Sequence, residues 1–567
     1  MGLRICLVTP FSWSQPHEVN DHVAGVAREL RRLGHSVTVL CPSNRAEDLR
    51  AGRRALLRGP LGDVVAVGPA LPISRRSRMG VPVGVRANLA LALARGAFDV
   101  LHGFEPGLPS LSYLALRDAP ALAVASFFSR ERLSYPPGTA QRARLLARID
   151  RLVAASPEVA AAAALRFPGD YRVISAGVDT ETFRPATKKR RIVLEWRPAE
   201  RPFTRACLSM LSELEGWDLI LLRTRPLSAR PYVPRALRKR VRVRTARDSP
   251  GRAAVLRDAA LFIAPPSAGA RLELEAGAAG AAVVRGPEEA LELAKDSERR
   301  EQRAGELRRS AERASFRAVA AELDSLYGRL SERRRAIPRD GMLLQDRDWI
   351  LCDLHTHTSW SHDCRVPVEA LLEHAEEQGL GAVAITDHNA FGGALEAVEL
   401  ARGRPLTVIP AEEVKTNGQG EVIGLFLSEE IPRAMSFADT IAAIRAQGGL
   451  VYLPHPFDRR HAIPDPATLH RHLADIDVFE VYNARLLFET YNDEALRFAR
   501  KYNLTMGAGS DAHVLPGLGT GVVRMRTFRT PEEFLISLRT AQVLRRPKSL
   551  AYLQSLKWMA QVKEKAR

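Results

Sequence analysis

Two histidines separated by one residue, His355 and His357, end an apolar run in the segment WILCDLHTHTSWSHD. The run itself, 349–354, predicts a buried strand, and residues i and i+2 of a strand point to the same face. Asp363 follows after a short loop. Because neutral imidazole and carboxylate groups suit Zn, Mn or Fe, this segment predicts one half of a metal site.

Side chains of the same types end five further apolar runs downstream. They are Asp387, His388, Glu412, Glu413, His455, Glu480, Asn483, Asp511 and His513. Helical patterns over 368–378, 437–447 and 492–501 lie between many of these runs, and this alternation predicts a mostly parallel sheet or barrel. A single His-x-His pair is more often structural or at the surface. Six strand ends with such residues, gathered at one edge, predict a metal centre.

The ordered set HTH, D, TDH, E, HP, N and GSDAH resembles the PHP (polymerase and histidinol phosphatase) domain family over about 349–546. The resemblance implies a distorted (βα)7 barrel that holds two or three divalent ions, Mn, Zn or Fe, and hydrolyses phosphate esters. Glu412 matches the position that often bridges two ions. The positions that match metal ligands are His355, His357, Asp363, His388, Glu412, His455, Asp511 and His513.

The chemistry expected at such a centre is in-line attack on a phosphoryl group by metal-bound hydroxide. We expect Asp511, His513, Glu412 and Asp363 to be the catalytic residues. The substrate phosphate also needs cations from the protein, and those near the ligand-bearing strand ends are Arg459, Arg460, Arg485 and Lys415. For each of these four, a solvent-exposed charge is the alternative interpretation.

The first 185 residues alternate strands and helices in a doubly wound α/β pattern, beginning with the strand RICLVTP. The segments DVLHGFEPGLPSLSYLAL and VISAGVDTETFRP resemble the acceptor-side domain of GT-B glycosyltransferases of the phosphatidylinositol mannosyltransferase type. Two positions depart from that family. Pro16-His17-Glu18 replaces a Gly-Gly pair in the first loop, and Phe128 replaces a histidine.

The next segment, 186–295, is expected to be the donor-side half of the same fold. The resemblance implies an Arg and a Lys for a diphosphate and two Glu residues eight positions apart. Arg197 and Arg201 are candidates for the cations, and Glu275 falls at the second Glu position, whereas the first is Ser267. We therefore interpret the donor site as degenerate and the fold as retained for binding or scaffolding.

Length and charge support a chain of several domains. The 567 residues carry a net charge of +18, yet residues 345–546 contain 28 acidic and 20 basic residues. The basic remainder favours anionic partners, although a general arginine bias explains it equally well. The sequence predicts three α/β domains: an acceptor-side Rossmann-type domain (1–185), a donor-side one (186–295) and the PHP domain (341–546). A charged helical linker (296–340) precedes the PHP domain, and a basic amphipathic tail (547–567) follows it.

Cysteine content and hydropathy predict the compartment. Five cysteines without CxxC spacing indicate reduced thiols in a cytoplasm, and no apolar run reaches the ~20 residues of a membrane span. The tail is a candidate for peripheral contact with the inner membrane surface, although packing on the protein itself is commoner. We expect a small phosphorylated substrate, with a nucleotide sugar as a less supported ligand, and no DNA or RNA.

Three functions remain open from the sequence. The first is a metal-dependent phosphoesterase acting on a phosphate mono- or diester of a small molecule, with a glycosyltransferase-like module for binding or scaffolding. The second is a bifunctional family 4-type glycosyltransferase fused to a phosphatase, acting on a lipid- or sugar-phosphate. The third is a non-catalytic protein whose metal site is structural.

Overall fold

The computed structural model describes residues 2–72, 80–82, 84–224, 231–266, 270–336, 343–460 and 462–546. The chain divides into an N-terminal unit, Met1–Ser331, and a C-terminal unit, Glu332–Arg567. None of the described helices is both long enough and apolar enough to cross a membrane. The predicted tail, 547–567, and the predicted boundary at 338–341 lie outside the described residues.

The first lobe of the N-terminal unit is a parallel sheet of seven strands in the order β3-β2-β1-β6-β7-β8-β9, with a separate two-stranded sheet, β4-β5. The strands are buried apolar runs, as expected when helices cover both faces of a parallel sheet. Their bounds are β1 Arg4–Val8, β2 Ser36–Pro42, β3 Val64–Gly68, β4 Ala70–Pro72, β5 Gly80–Pro82, β6 Val100–Phe104, β7 Leu122–Phe127, β8 Arg151–Ala154 and β9 Tyr171–Val173.

Helices alternate with these strands. They are α1 Glu18–Arg32, α2 Ala46–Arg58, α3 Arg86–Gly96, α4 Leu111–Asp118, α5 Thr139–Leu146 and α6 Pro157–Ala164. Because strand order reverses between β1 and β6, the crevice at their carboxyl ends is the topological switch point of the sheet. Helix α1 begins beside this crevice, directly after the loop that leaves β1.

The second lobe is a smaller parallel sheet in the order β12-β11-β10-β13-β14, which again reverses at its first strand. The predicted pair of doubly wound Rossmann-type domains is therefore confirmed. The strands are β10 Lys189–Glu195, β11 Asp218–Arg223, β12 Val241–Thr245, β13 Ala259–Ile263 and β14 Ala282–Val284. The helices are α7 Arg201–Leu211, α8 Ser249–Leu256, α9 Ala270–Ala278, α10 Pro287–Lys295 and α11 Ser297–Arg313. The last helix of the N-terminal unit, α12 Phe316–Ser331, returns to the first lobe.

The structure differs from the predicted solvated linker at α12. Its apolar face is buried, and Tyr327 donates or accepts a hydrogen bond of 2.6 Å with Nδ1 of buried His102 in β6. Phe316 packs so closely on α1 that a Cβ at Gly25 would lie 2.4 Å from its ring. The segment 296–340 as a whole is rich in charged residues, so its composition did not predict that α12 has a buried apolar face. Through this face α12 packs as part of the N-terminal unit.

The C-terminal unit is built on one sheet in the order β21-β20-β19-β18-β17-β16-β15-β22-β23. The strands are β15 Trp349–Thr356, β16 Ala382–Ile385, β17 Thr407–Lys415, β18 Glu421–Leu425, β19 Leu450–Leu453, β20 Val478–Asn483, β21 Thr505–Gly509, β22 Gly521–Arg526 and β23 Gln542–Arg545. The helices are α13 Val368–Glu377, α14 Gly392–Leu400, α15 Phe437–Ala446, α16 Pro466–Arg471, α17 Glu489–Tyr502 and α18 Pro531–Arg539.

Strands β15 to β21 curve into a nearly closed, distorted barrel, which confirms the predicted α/β barrel fold. The ends of the ring meet where the N–H of Asp511 donates to the carbonyl of His355 (2.8 Å) and that of His357 to the carbonyl of Ala512 (3.2 Å). The distortion comes from β18, which runs antiparallel to both of its neighbours and follows β17 directly as a hairpin. Closure brings the first and last ligand-bearing segments of the barrel together.

Candidate metal centre

All the predicted ligands except Glu412 lie together at one mouth of the barrel, where β15, β16, β17, β19 and β21 end. Four groups of three residues could each hold an ion. In each group, every residue offers one ligand atom, and the three atoms lie within 4.8 Å of one another. The groups are His357, His388 and His513; His355, His357 and Glu413; His355, His455 and Asp511; and His388, Glu413 and Glu421. Because the groups share members, the donors form one continuous cluster rather than separate sites.

Glu413 is the central carboxylate of this cluster. One of its oxygens lies 3.3 Å from Nε2 of His355 and 3.1 Å from Nδ1 of His388. The other lies 3.0 Å from Nε2 of His455. The side chain is fully buried at the end of β17. A carboxylate with donors from three strands around both of its oxygens has the placement of a bridging ligand.

The bridging role predicted for Glu412 was wrong by one residue. Successive side chains of a strand point to opposite faces, and Glu413 shares the inner face of β17 with Ile409 and Ala411, whereas Glu412 points outward. There Oε2 of Glu412 accepts from the N–H of Ile431 at 2.8 Å. The structure therefore places Glu412 outside the donor groups and Glu413 within them.

Asp363, Asp511 and His513, three of the predicted ligands, form a second edge of the cluster. Nε2 of His513 lies 3.1 Å from a carboxylate oxygen of Asp363, and Nε2 of His388 lies 3.8 Å from the other. Asp511 approaches Nε2 of His357 at 3.4 Å. Asp511 has a positive φ of 53°, a backbone conformation that few non-glycine residues adopt.

Glu421 is a member of the cluster that the sequence did not reveal. Its carboxylate lies 3.7 Å from Nε2 of His455. Because β18 runs antiparallel to its neighbours, its first residue lies at the same barrel mouth as the last residues of β17 and β19. A search for ligands at the carboxyl ends of strands therefore does not find Glu421. The turn signal Asn417–Gly420 between β17 and β18 could have identified the hairpin, which places Glu421 opposite Lys415.

Burial and opposite charge act together on the titration of these groups. Burial opposes charge on His355, but Glu413, Asp511 and Glu480 outweigh it and raise the pKa of His355 well above its usual value. For Glu413, burial raises the pKa, but His355 and His388 outweigh that effect and hold it well below the usual value. The pKa of His357, in contrast, is held well below its usual value by burial and by the neighbouring His513, so the imidazoles of the cluster do not share one charge state.

The donor set fits divalent ions. It supplies only imidazole nitrogens and carboxylate oxygens, the ligands of Zn, Mn and Fe. Nε2 of buried His357 makes no hydrogen bond among the described residues, although it lies 3.5 Å from Glu413 and 3.4 Å from Asp511. An imidazole nitrogen that is buried in this way and faces carboxylates is the arrangement expected around an ion.

The four predicted phosphate-binding cations separate into two classes. Arg485 lies at the centre: one guanidinium nitrogen is 3.2 Å from Asp511 and 3.1 Å from Nε2 of His513. Arg459 is exposed and lies 3.9 Å from Glu494. Arg460 and Lys415 are also exposed. In the described residues, Arg485 is therefore the member of this set that contacts candidate ligands.

The cysteines nearest the centre are not ligands. Sγ of Cys364 donates to the carbonyls of His357 (3.3 Å) and His513 (3.5 Å), and burial raises the pKa of this thiol to about 11. Cys352 is also buried, inside the barrel wall. Both thiols are structural, and that of Cys364 joins two ligand-bearing loops.

The carboxylate of Glu275, the predicted donor-site residue, is paired with two arginines of the same chain. Arg252 donates to both of its oxygens (2.6 and 2.7 Å), and Arg271 donates to one of them at 2.8 Å. Arg271 also donates to Asp21 of α1 in the first lobe at 2.8 Å. The cavity beside this network has a volume of about 180 Å³, less than the ~300 Å³ at which ligand pockets begin.

The two predicted donor-site cations show no such convergence. Arg197 donates to buried Glu195 at the end of β10 (2.8 Å). Its guanidinium is therefore paired with a carboxylate only two residues away in the sequence. Arg201 is exposed at the start of α7. Ser267, at the position of the first family glutamate, lies outside the described residues.

At the switch point of the first lobe, a cation bridges two carboxylates. Arg132 donates to Glu18 of α1 (3.0 Å) and to Glu105 (3.1 Å), which directly follows β6. The ring of Phe11 lies beneath the Arg132 guanidinium and stacks on His17. Side chains of the chain itself thus fill the start of α1, where a dinucleotide-type fold binds phosphate.

Comparison with known proteins is consistent with two different halves. The family model described as Glycosyltransferase Family 4 matches residues 19–182, PHP domain matches 353–458, and PHP-associated matches 489–543. An uncharacterized protein of Methanocaldococcus jannaschii is 35% identical over 211 residues, covering 35% of this chain and 84% of that protein.

Two further relatives complete the comparison. The phosphatidyl-myo-inositol mannosyltransferase of Propionibacterium freudenreichii is 28% identical over 205 residues, which cover 35% of this chain and 52% of that enzyme. The crystal structure of PsfC from Pseudomonas syringae is 20% identical with a TM-score of 0.31, covering 38% of this chain and 99% of that one.

Proposed function

The chain belongs to the PHP domain family and carries a glycosyltransferase family 4-like segment, and from this premise we propose that it is a metal-dependent phosphoesterase. The proposed substrate is a phosphate mono- or diester of a small molecule. One observation carries the proposal: five histidines and the carboxylates of Glu413, Asp363 and Asp511 meet at one barrel mouth beside the guanidinium of Arg485.

We propose two or three divalent ions, of Mn, Zn or Fe, held by this cluster. Ions bound there would lower the pKa of a water molecule and neutralise charge on the phosphoryl group. The histidines and carboxylates of the chain would hold those ions, and Glu413 belongs to two of the donor groups. Glu421 adds a carboxylate at the edge formed by His388 and Glu413.

Arg485 is the residue we propose to bind the substrate phosphate. Its guanidinium presents several N–H donors in a fixed plane, a geometry that suits phosphate oxygens. Asp511 and His513 orient it through contacts of 3.2 and 3.1 Å. A side chain held in place before substrate arrives loses little freedom when a phosphoryl oxygen binds.

We do not extend the proposal to glycosyl transfer. Glu275 is fully engaged by Arg252 and Arg271, and Arg197 by Glu195. Opening the donor site would leave buried arginines without their partners, which costs several kcal/mol. We propose that the N-terminal unit binds or scaffolds instead.

Hydrolysis of p-nitrophenyl phosphate and bis-p-nitrophenyl phosphate by the full-length chain with added Mn²⁺ tests the proposal. We expect metal-dependent turnover that is lost in Asp511→Ala/His513→Ala and retained in His472→Ala, whose histidine lies outside the centre. The relative rates on the two esters would distinguish a mono- from a diesterase. Absence of turnover with Mn²⁺, Zn²⁺ and Fe²⁺, despite bound metal, would overturn the proposal.

A further inference from the structure

Glu480 is a buried carboxylate that lies behind the candidate ligands rather than among them. It belongs to β20 and is 1% exposed. Its Oε1 lies 3.1 Å from Nδ1 of His355 and accepts from the hydroxyl of Tyr452 at 2.9 Å. Its Oε2 accepts from the N–H of His455 at 2.6 Å and from the side-chain amide of Asn483 at 3.1 Å. Both oxygens are thus used by the protein itself.

The contact with His355 determines which ring nitrogen faces the centre. A carboxylate that accepts from Nδ1 holds the imidazole proton there, so the lone pair is on Nε2. In this structure Nε2 of His355 lies 3.3 Å from Glu413 and 4.0 Å from Asp511. The nitrogen available to an ion is therefore the one directed into the cluster.

The contact with His455 acts on the backbone. His455 has a positive φ of 26°, which a residue with a Cβ rarely adopts. Its N–H donates to Glu480 at 2.6 Å, and its Nε2 lies 3.0 Å from Glu413. The hydrogen bond stabilises a strained conformation that places the imidazole at the bridging carboxylate.

We propose that Glu480 is a positioning residue that orients two ligands from different strands of the barrel at once. It acts through His355 by fixing the tautomer and through His455 by holding the backbone. Partners that orient ligating histidines in this way typically change metal affinity by 10- to 100-fold when removed. The inference rests on the proposed metal-dependent function, because it assigns Glu480 to that same centre.

Mn²⁺ affinity of the full-length chain, measured by titration calorimetry after chelation, tests this role. The Glu480→Gln side chain has one acceptor oxygen in place of two, so it keeps at most one of the two ligand contacts. We expect its Mn²⁺ dissociation constant to rise at least tenfold. The matched control is Tyr452→Phe, which removes a hydrogen bond from the same oxygen but leaves both ligand contacts, and we expect a change of less than threefold.

The absorption spectrum of the Co²⁺-substituted protein supplies a second readout, because its intensity follows coordination geometry. We expect Glu480→Gln to change this spectrum and Tyr452→Phe to leave it unchanged. If Glu480→Gln is insoluble, Glu480→Asp, which shortens the reach of both oxygens, is expected to show the same loss of affinity. Wild-type Mn²⁺ affinity and Co²⁺ spectrum in a soluble Glu480 variant would overturn the proposal.

The outcomes separate this inference from the proposed function. If the wild-type chain binds Mn²⁺ but hydrolyses neither ester, the phosphoesterase proposal fails while the affinity comparison still decides the role of Glu480. If hydrolysis is observed and Glu480→Gln retains full affinity, only the positioning role fails.

Discussion

Glu412 and Glu413 are neighbours on β17, yet their carboxylates are in separate environments on opposite faces of the strand. Oε1 of Glu413 lies 3.0 Å from Nε2 of His455 inside the barrel. Oε2 of Glu412 accepts from the backbone N–H of Ile431 on the outer side. Because both side chains are fully buried glutamates of one strand, the pair offers a comparison in which residue type and burial are matched while the direction and the partners of the carboxylate differ.

The Glu413→Gln substitution is expected to reduce bound Mn²⁺ by at least one ion per chain, because an amide cannot bridge two ions as a carboxylate does. Glu412→Gln is the matched control and is expected to retain the wild-type metal content. Elemental analysis after dialysis measures both. An equal loss of Mn²⁺ from the two variants would contradict the assignment of Glu413, and not Glu412, as the metal ligand.

The same strand shows what sequence could predict about the site and what it could not. Apolar runs that end in His, Asp or Glu, together with the loop after the first run, predicted the barrel and pointed to seven residues that the structure brings close together. They are His355, His357, Asp363, His388, His455, Asp511 and His513. In LTVIPAEE, however, both faces are buried, so no alternation of polar and apolar residues shows which glutamate faces inward. Register against β16 and β18 decides that, and register is a property of the assembled sheet.

Other differences also come from contacts between residues far apart in the sequence. Glu275 was a candidate by position, but its partner Arg252 lies in another helix, and its other partner, Arg271, also pairs with Asp21 of the first lobe. Helix α12 follows the charge-rich helix α11, and its burial includes a close approach of Phe316 to Gly25. Local patterns identify elements and strand ends, whereas these pairings arise only when the elements pack.

Replacing Arg485 tests whether this guanidinium binds the substrate phosphate. Arg485→Gln is expected to lower kcat/KM for p-nitrophenyl phosphate by about 10²- to 10³-fold, the usual effect of removing one donor that stabilises charge in a transition state. Arg460→Gln, an exposed arginine on another loop, is the control and is expected to change kcat/KM by less than about threefold.

Steady-state kinetics with parallel metal analysis measures this effect. The metal content separates two explanations, because Arg485 also contacts the candidate ligand Asp511. Loss of activity together with loss of Mn²⁺ would contradict a role in phosphate binding and would assign Arg485 to the support of the ligands.

The ion pairs around Glu275 are expected to stabilise the N-terminal unit. Glu275→Gln removes the charge partner of two arginines, and breaking a buried pair costs about 3–5 kcal/mol. Glu273→Gln on the same helix is the control: its partner Arg285 is 68% exposed, and such surface pairs contribute about 1 kcal/mol or less. Urea unfolding of both variants measures the difference, and similar midpoints would refute a stabilising role for the network.

Glu105 is expected to make stability depend on pH near neutrality. Burial raises the pKa of Glu105 from 4.5 to about 7, although Arg132 opposes this effect and Glu18 adds to it. Oε2 of Glu105 is buried and makes no hydrogen bond in the part of the chain that the structure describes. Between pH 4.5 and about pH 7, Glu105 is therefore protonated in the folded state, whereas it is already ionised in the unfolded state.

Because the pKa of Glu105 is higher in the folded state, its contribution to stability is complete below about pH 4.5 and declines as pH rises through 7. The total loss corresponds to about 3 kcal/mol. The Glu105→Gln variant has no group to titrate at this position, so its stability relative to wild type should increase between pH 5 and pH 8. Urea unfolding of both proteins at the two pH values measures this change. An unchanged difference would mean that Glu105 keeps an ordinary pKa in the folded chain and that Arg132 compensates fully for its burial.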